Sequence, residues 1–553
     1  MNLKLTQIDL VPVPEKQSAS DIDSLPVEQH GTHTHPAPTS DPLDPLNWPR
    51  WQKHVILGIV MLKCVPPDQS RRTHRLTKSR YFLFTYITTT TVPSFAELQS
   101  QYDINYSQVN WTVAIPALGL SLGPLFWSSV GDIYGRRIVF IVGTVIALVA
   151  TIGAAVADTY GGYMAARFFQ GFGVSPSSTV GMAVANGTVT DMFYEYERGQ
   201  KLGLWVLALD SGLLLGPTFG GFLNLVSAQW INWFNAILFA ALLLLELTLM
   251  PETLYPRALM LQRMAVTEKP AESNAGIEEA EIKRTKSLPF FNLRPIPGLS
   301  HPPIYASLTR FLLTFRFPVI PVAVLGYSFT WYWWILSVIT MVPSAYATDS
   351  PLIQGLLFLG LLIGTLVAEV SCSGRLSDAI VGRLAKRNGG VRVPEMRLWL
   401  AYPAIVLTAG VYIPIAHVRT ISNIAMQPAV GLILWGISID KAYHWMVGQV
   451  AFFLFSAGIQ IGNTVTSSYI IDAYPLQSTS VVIFYAVFLN LSAFANPFFI
   501  AQWQAAIGWT WTFTTQALIV VAGGSGVFIS LHVFGAAWRA KGVPGWVNPE
   551  FDS

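Results

Sequence analysis

A carboxylate and a proline stand inside an apolar run: residues 203–226 read GLWVLALDSGLLLGPTFGGFLNLV. No basic residue in the run can pair with Asp210. Desolvation raises the pKa of such a carboxylate and a nearby cation lowers it, so alternating surroundings would let it take up and release a proton. The competing role is a cap at a helix kink. Pro217 removes a backbone hydrogen bond and bends a helix. Gly212, Gly216, Gly220 and Gly221 leave a face without side chains, against which another helix can rock or seal. Together these residues form a hinge beside a proton or cation site. A second set repeats along the chain: SSVGDIYGRR carries Asp132, Gly135, Arg136 and Arg137, and GRLSDAIVGRLAKR carries Asp378 and Arg383. A carboxylate at a helix end can bond basic groups or a helix N-terminus and lock one conformation. Asp191 is expected to join Asp132 and Arg136 in that lock. A third set, ARFFQGFGVSPSS, places Arg167 and Gln170 inside another apolar run. A charge there costs at least ~2.5 kcal/mol, so the arginine must face a wet cavity or a partner, or snorkel to the nearer surface.

The elements that carry these residues are membrane spans. The chain has 553 residues, 52% hydrophobic and 12% charged, against roughly a quarter charged in soluble domains. Ten apolar segments are each long enough for one crossing: 109–130, 138–157, 161–186, 203–226, 230–250, 317–343, 352–372, 447–471, 478–503 and 509–534. Two more are broken, 54–63 resuming at 81–95 and 398–409 resuming at 429–439. Numbered in chain order, the broken pairs are spans 1 and 9, and the total is twelve. Lys and Arg collect in the loops that an inside N-terminus makes cytoplasmic: Arg136, Arg137, Arg198, Lys201, the central loop, and Arg375 to Arg397. The outer loops hold Glu97, Asp103, Asp158 and Asp349, with Lys441 as their basic residue. The net charge of +3 therefore says nothing about nucleic acid, and none is expected as a partner. Two cysteines, Cys64 and Cys372, supply no disulfide framework. No metal cluster, nucleophile–base pair or nucleotide-binding loop is evident, so neither an enzyme nor an ATP-driven pump is expected, nor any cofactor or metal.

The loop between spans 2 and 3 resembles the signature of the major facilitator superfamily, G-x-x-x-D-x-x-G-R-R/K, at Asp132, Gly135, Arg136 and Arg137, with Ser128 where the family usually has its first glycine. Arg167, Gln170, Gly171 and Gly173 fit the family's fourth-helix pattern R-x-x-Q-G-x-G. Gly212, Gly216, Pro217, Gly220 and Gly221 complete G-x-x-x-G-P-x-x-G-G, which resembles the fifth-helix signature of its drug:proton antiporters. PETLYPR, from Pro251 to Arg257, is similar to the exit of span 6 in fungal members of the twelve-span drug:proton branch. The resemblance covers about residues 47–540. It implies an all-α polytopic fold of twelve spans in two six-helix bundles. It also implies proton-coupled export of a small hydrophobic or cationic organic compound. The rivals are a proton-coupled importer of a polyamine, sugar or other nutrient, and a non-transporting membrane sensor of transporter ancestry. A monomer in the plasma membrane, rather than an internal one, is the expected setting.

This organises the chain as a disordered cytoplasmic tail (1–46), an N-terminal bundle (47–250), a cytoplasmic central loop (251–316), a C-terminal bundle (317–540) and a short cytoplasmic tail (541–553). In YSFTWYWW of span 7, Tyr327 and Trp331 could stack on a flat substrate or hold a cation, or could be packing surface. Span 10 supplies Gln460, Asn463 and Tyr469 as polar groups on a cavity helix, and Asp472 as a cap near its inner end. Glu246 and Glu369 are expected near cytoplasmic span ends, as gate residues. Residues 64–80 put five cations and two prolines into span 1, at ~2.5–3.5 kcal/mol for each charge at mid-bilayer. Residues 410–428 interrupt span 9 similarly. Removing both restores two ordinary crossings, which reads as additions such as translated intron; looped-out helix breaks are the alternative.

Overall fold

The computed structural model describes residues 53, 83–178, 212–250, 252, 303, 305–409, 431–474 and 477–542. All of them belong to one unit, 38–553. Among the described residues every regular element is helical, and each of the twelve expected spans contributes a helix. Among the described residues eight helices are long and apolar enough to cross a bilayer. Their outward faces carry Val149, Ile237, Leu244, Trp511 and Val533, all largely exposed. Large apolar side chains exposed in such number suit lipid rather than water.

Local sequence explains how the spans start and stop. Span 2 is helical over Tyr106–Tyr134, opened by a reciprocal cap between Asn105 and Gln108. It closes at Gly135, whose φ of 99° is open to glycine and strained for other residues. Span 3, Arg136–Ala155, begins at the next residue, so one glycine reverses the chain. Gly508, at φ 79°, does the same between spans 11 and 12. Glu97 accepts from the backbone N–H of Ala228 at 3.0 Å, capping span 6 (Ala228–Leu249) with negative charge. Tyr102 donates to the carbonyl of Ala157, and burial, with Tyr163 and Asp158 nearby, pushes its phenol up to about 12.

Two features differ from expectation, and span 9 breaks where expected. The second half of span 1 is not one helix to residue 95: Leu83–Thr89 gives way to a tight turn at Val92–Ser94 before Phe95–Tyr102. Pro93 cannot continue the ladder, and the hydroxyls of Thr90 and Ser94 bond the carbonyls of Ile87 and Thr91 instead. Span 9 runs as Pro394–Leu400, Ala401–Ala409 and, after 410–430, Leu432–Asp440. A methyl added at Gly431 would stand 2.1 Å from the carbonyl oxygen of Thr408, so the second half begins on the end of the first. Of the two suspected additions, 64–80 and 410–428 both lie outside the described residues. Finally, the stretch expected to close the central loop contains a helix, Ala306–Thr314. It packs beside spans 2 and 11, where Ser307 and Ser129 share a 2.7 Å hydroxyl bond and Phe311 stacks on Phe488.

Candidate functional site

Arg167 is fully buried. Nε donates to the carbonyl of Thr112 (3.1 Å), Nη1 to those of Ile87 (2.9 Å) and Gln170 (3.0 Å), and Nη2 to the carbonyl of Thr88 and the hydroxyl of Thr91. Gln170 passes the link on to Thr151 of span 3. The Ile87 and Thr88 carbonyls stand where the span 1 helix ends, and the Thr112 carbonyl precedes by four residues Pro116, which has no N–H to offer it. Arg167 thus ties spans 1, 2 and 4 together, and through Gln170 span 3, with its donors spent inside the bundle.

The glycines of span 5, Gly212–Leu223, meet the same break from the other side. Methyls added at Gly216 and Gly220 would stand 2.4 Å from the Thr89 hydroxyl and 1.9 Å from the Thr90 carbonyl. Thr89 also donates to the carbonyl of Leu213 at 2.7 Å. Gly221 faces a different neighbour: its added methyl would be 2.7 Å from the carbonyl of Pro351 in span 8. Thr218 donates to the carbonyl of Gly355 at 2.9 Å, and Gly355 would in turn meet the Pro217 carbonyl at 2.5 Å. One motif therefore packs span 5 on span 1 of its own bundle and on span 8 of the other. Gly212 is buried. Asp210 lies outside the described residues, as does Asp191. Tyr106 adds another link between the bundles, donating to the carbonyl of Thr340 in span 7 at 2.7 Å.

At the end of the N-terminal bundle where span 2 meets span 3, Asp132 is half-buried and Arg136 buried. The carboxylate of Glu252, which the sequence reading did not single out, accepts from the backbone N–H groups of Arg136 (3.0 Å) and Arg137 (3.2 Å). Arg137 returns a bond from Nη2 to the carbonyl of Leu247. Glu246 is buried and accepts from Thr144. In the C-terminal bundle Asp378 falls within the helix Ser377–Arg387, and Arg383 is exposed. The strongest pair there was also missed: Arg539 of span 12 donates to both oxygens of Glu395, at 2.7 and 2.8 Å. Arg397 pairs with Asp472 and reaches Ser377, so Asp472 is an ion-pair partner as well as a span-end residue.

The expected aromatic cluster is turned into the C-terminal bundle. Tyr327 and Trp331 are fully buried, Tyr327 donating to the carbonyl of Ile459 and Trp331 to the hydroxyl of Thr408. Tyr327 also lies parallel to Tyr485, whose hydroxyl bonds Asn463. Neither ring offers an open face in this conformation, which favours packing over substrate stacking. Gln460 is buried, and its amide donates at 2.9 Å to Glu369, joined by the Thr464 hydroxyl at 3.3 Å. This corrects the expected position of Glu369. Its partners precede the end of span 10 at Ala473 by ~20 Å and ~14 Å at 1.5 Å per residue, well inside the bundle. The sequence hides this because the apolar run ends at Cys372, whereas the helix continues through a π-helical stretch, Glu369–Leu376, into Ser377–Arg387.

The Major Facilitator Superfamily model matches residues 81–440, more than half of the chain. Among curated relatives, "Probable efflux pump mfs2" of Aspergillus flavus is 27% identical over 452 residues, covering 81% of this chain and 96% of the relative. "Efflux pump radE" of Floropilus chiversii is 25% identical over 494 residues, covering 87% and 80%. Among solved structures, the xylose transporter XylE from E. coli, in a partially occluded inward open conformation, aligns with TM-score 0.56 at 14% identity, over 88% of this chain and 98% of that one. A D-xylose–proton symporter aligns with TM-score 0.52 at 16% identity, over 84% and 95%. At such identities these two likenesses show a shared fold.

Proposed function

Since this chain belongs to the Major Facilitator Superfamily, and is thereby a multi-pass membrane transporter of small molecules rather than an enzyme, we propose that it is a proton-coupled antiporter that exports small hydrophobic or cationic organic compounds. The observation that carries this reading is the packing of the span 5 motif. Its glycines and Pro217 lie backbone to backbone against spans 1 and 8. Such a seam can separate and re-form without displacing side chains, as a gate between alternating bundles requires. The two relatives named as efflux pumps support the outward direction. Asp210, seven residues before Pro217, is the proposed coupling carboxylate, and the plasma membrane and a monomeric state complete the proposal.

The test has two arms. Expression in an efflux-deficient yeast host should lower accumulation of at least one compound in a toxin and drug panel, and Gly221→Val should abolish that protection by wedging the seam. In reconstituted vesicles Asp210→Asn should end uphill transport yet allow downhill exchange, because a fixed neutral group cannot couple to a pH gradient. Concentrative transport by Asp210→Asn would move the coupling site elsewhere.

A further inference from the structure

Glu369 is the one ionisable residue in the span 8 helix Pro351–Ser371. Gly360 and Gly364 bring spans 8 and 10 into backbone contact: an added methyl at Gly364 would stand 2.2 Å from both the Phe453 carbonyl and the Ser456 hydroxyl. One helical turn further in, that closeness puts Gln460 and Thr464 within reach of the carboxylate. Both donate to the same oxygen, Oε2. Among the described residues Oε1 accepts nothing, and Glu369 makes no ion pair. Its side chain is neither buried nor fully exposed.

The direction it faces follows from the helix. Residues fourteen apart share a face to within about 40°, and fourteen before Glu369 stands Gly355, which touches Pro217 and Thr218 of the opposite bundle. The exposed Ile363, Val367 and Val370 mark the lipid side elsewhere on the helix. Glu369 thus belongs to the face that looks across to the N-terminal bundle, at the start of the π-helical stretch. Such stretches often mark functional sites.

A glutamine would satisfy Gln460 and Thr464 equally well, so hydrogen bonding does not account for a carboxylate here. A charge at this depth costs at least ~2.5 kcal/mol, and two neutral donors on one oxygen orient it without cancelling it. The geometry points to Glu369, oriented by Gln460 and Thr464, as the subsite that selects a positive charge on the compound this protein carries. The inference rests on the transport reading above and narrows its substrate class to organic cations. Oε1 meets the cationic group, and the rest of the compound fills the space between the bundles.

Equilibrium binding to the purified full chain in detergent tests this without requiring transport. The probes are tetraphenylphosphonium, a permanent cation, and triphenylphosphine oxide, a neutral relative of similar shape. Wild type should bind the cation more tightly. Glu369→Gln should weaken cation binding at least tenfold and change neutral binding less than twofold, while Glu369→Asp, which keeps the charge, should retain most of the preference. Unchanged cation binding in Glu369→Gln overturns the assignment, as does equal loss of both probes or a wild type that does not discriminate. If Glu369→Gln does not yield folded protein, the wild-type and Glu369→Asp arms decide alone: loss of preference in Glu369→Asp counts against it. Selective binding without transport in vesicles would sink the export reading and leave the subsite standing; transport without selectivity would do the reverse.

Discussion

One end of each bundle holds a carboxylate at the start of a helix, and the donors that meet it differ. Where span 3 begins, span 6 sends in a carboxylate, Glu252, which accepts from two backbone N–H groups at the helix N-terminus. Where span 9 begins, the carboxylate is on the entering segment itself, Glu395, and span 12 sends in a guanidinium, Arg539. Both arrangements place negative charge at the start of a helix, where the backbone dipoles favour it. The internal repeat has therefore kept the pattern of charge rather than the residues that supply it. One bundle is tied by side chain to backbone, the other by an ion pair.

The comparison first presumes that both ends share one side of the membrane, and that is the largest effect to look for. In a cysteine-free background, single cysteines at the exposed positions Asp103 and Asn388 should label from opposite faces of intact cells, essentially all or none. Labelling of both from outside would dissolve the comparison. Next comes the ion pair. Glu395→Ala strands Arg539, and losing hydrogen bonds to a charged group costs ~1.5–3 kcal/mol, visible as a lower melting temperature in detergent. The exchanged pair Glu395→Arg with Arg539→Glu should recover only part of this, because it puts positive charge at a helix N-terminus, a penalty of ~0.3–1 kcal/mol. Full recovery would show that the dipole plays no part. Glu252→Gln keeps one acceptor oxygen but sets an amide NH2 against the other backbone N–H, so it should cost about one hydrogen bond, ~0.5–1.5 kcal/mol, beyond the ~0.3–1 kcal/mol of the lost charge. The smallest effect belongs to Arg397→Gln. Its pair with Asp472 is partly exposed, with 22% and 39% of the two side chains open to solvent, and such pairs contribute ~0–1 kcal/mol.

The spans were legible because hydrophobic length is a strong local signal, whereas Gly135 was legible only as a motif residue and its chain-reversing φ emerges in the structure. The span 5 motif was legible as a seam, though not which helices it seals against. Other features escaped for physical reasons. Glu395 and Arg539 are 144 residues apart and meet only through tertiary packing. Glu252 acts on backbone atoms, which leave no complementary residue to notice. The break in span 1 was marked in the sequence by Pro93 alone, because the Arg167 that takes its carbonyls arrives from span 4. Glu369 looked like a span-end residue because the π-helical stretch that begins there has no sequence signature.

The central claim is exchange of substrate for protons. It is tested most directly in proteoliposomes that contain a pH-sensitive dye, with no gradient imposed and a transported compound added outside. Antiport predicts that the lumen turns alkaline as the compound enters, that the signal disappears in Asp210→Asn, and that it persists when the membrane potential is clamped. A lumen that turns acidic would mean symport, and a lumen that does not change while the compound enters would mean transport without protons; either result contradicts the account.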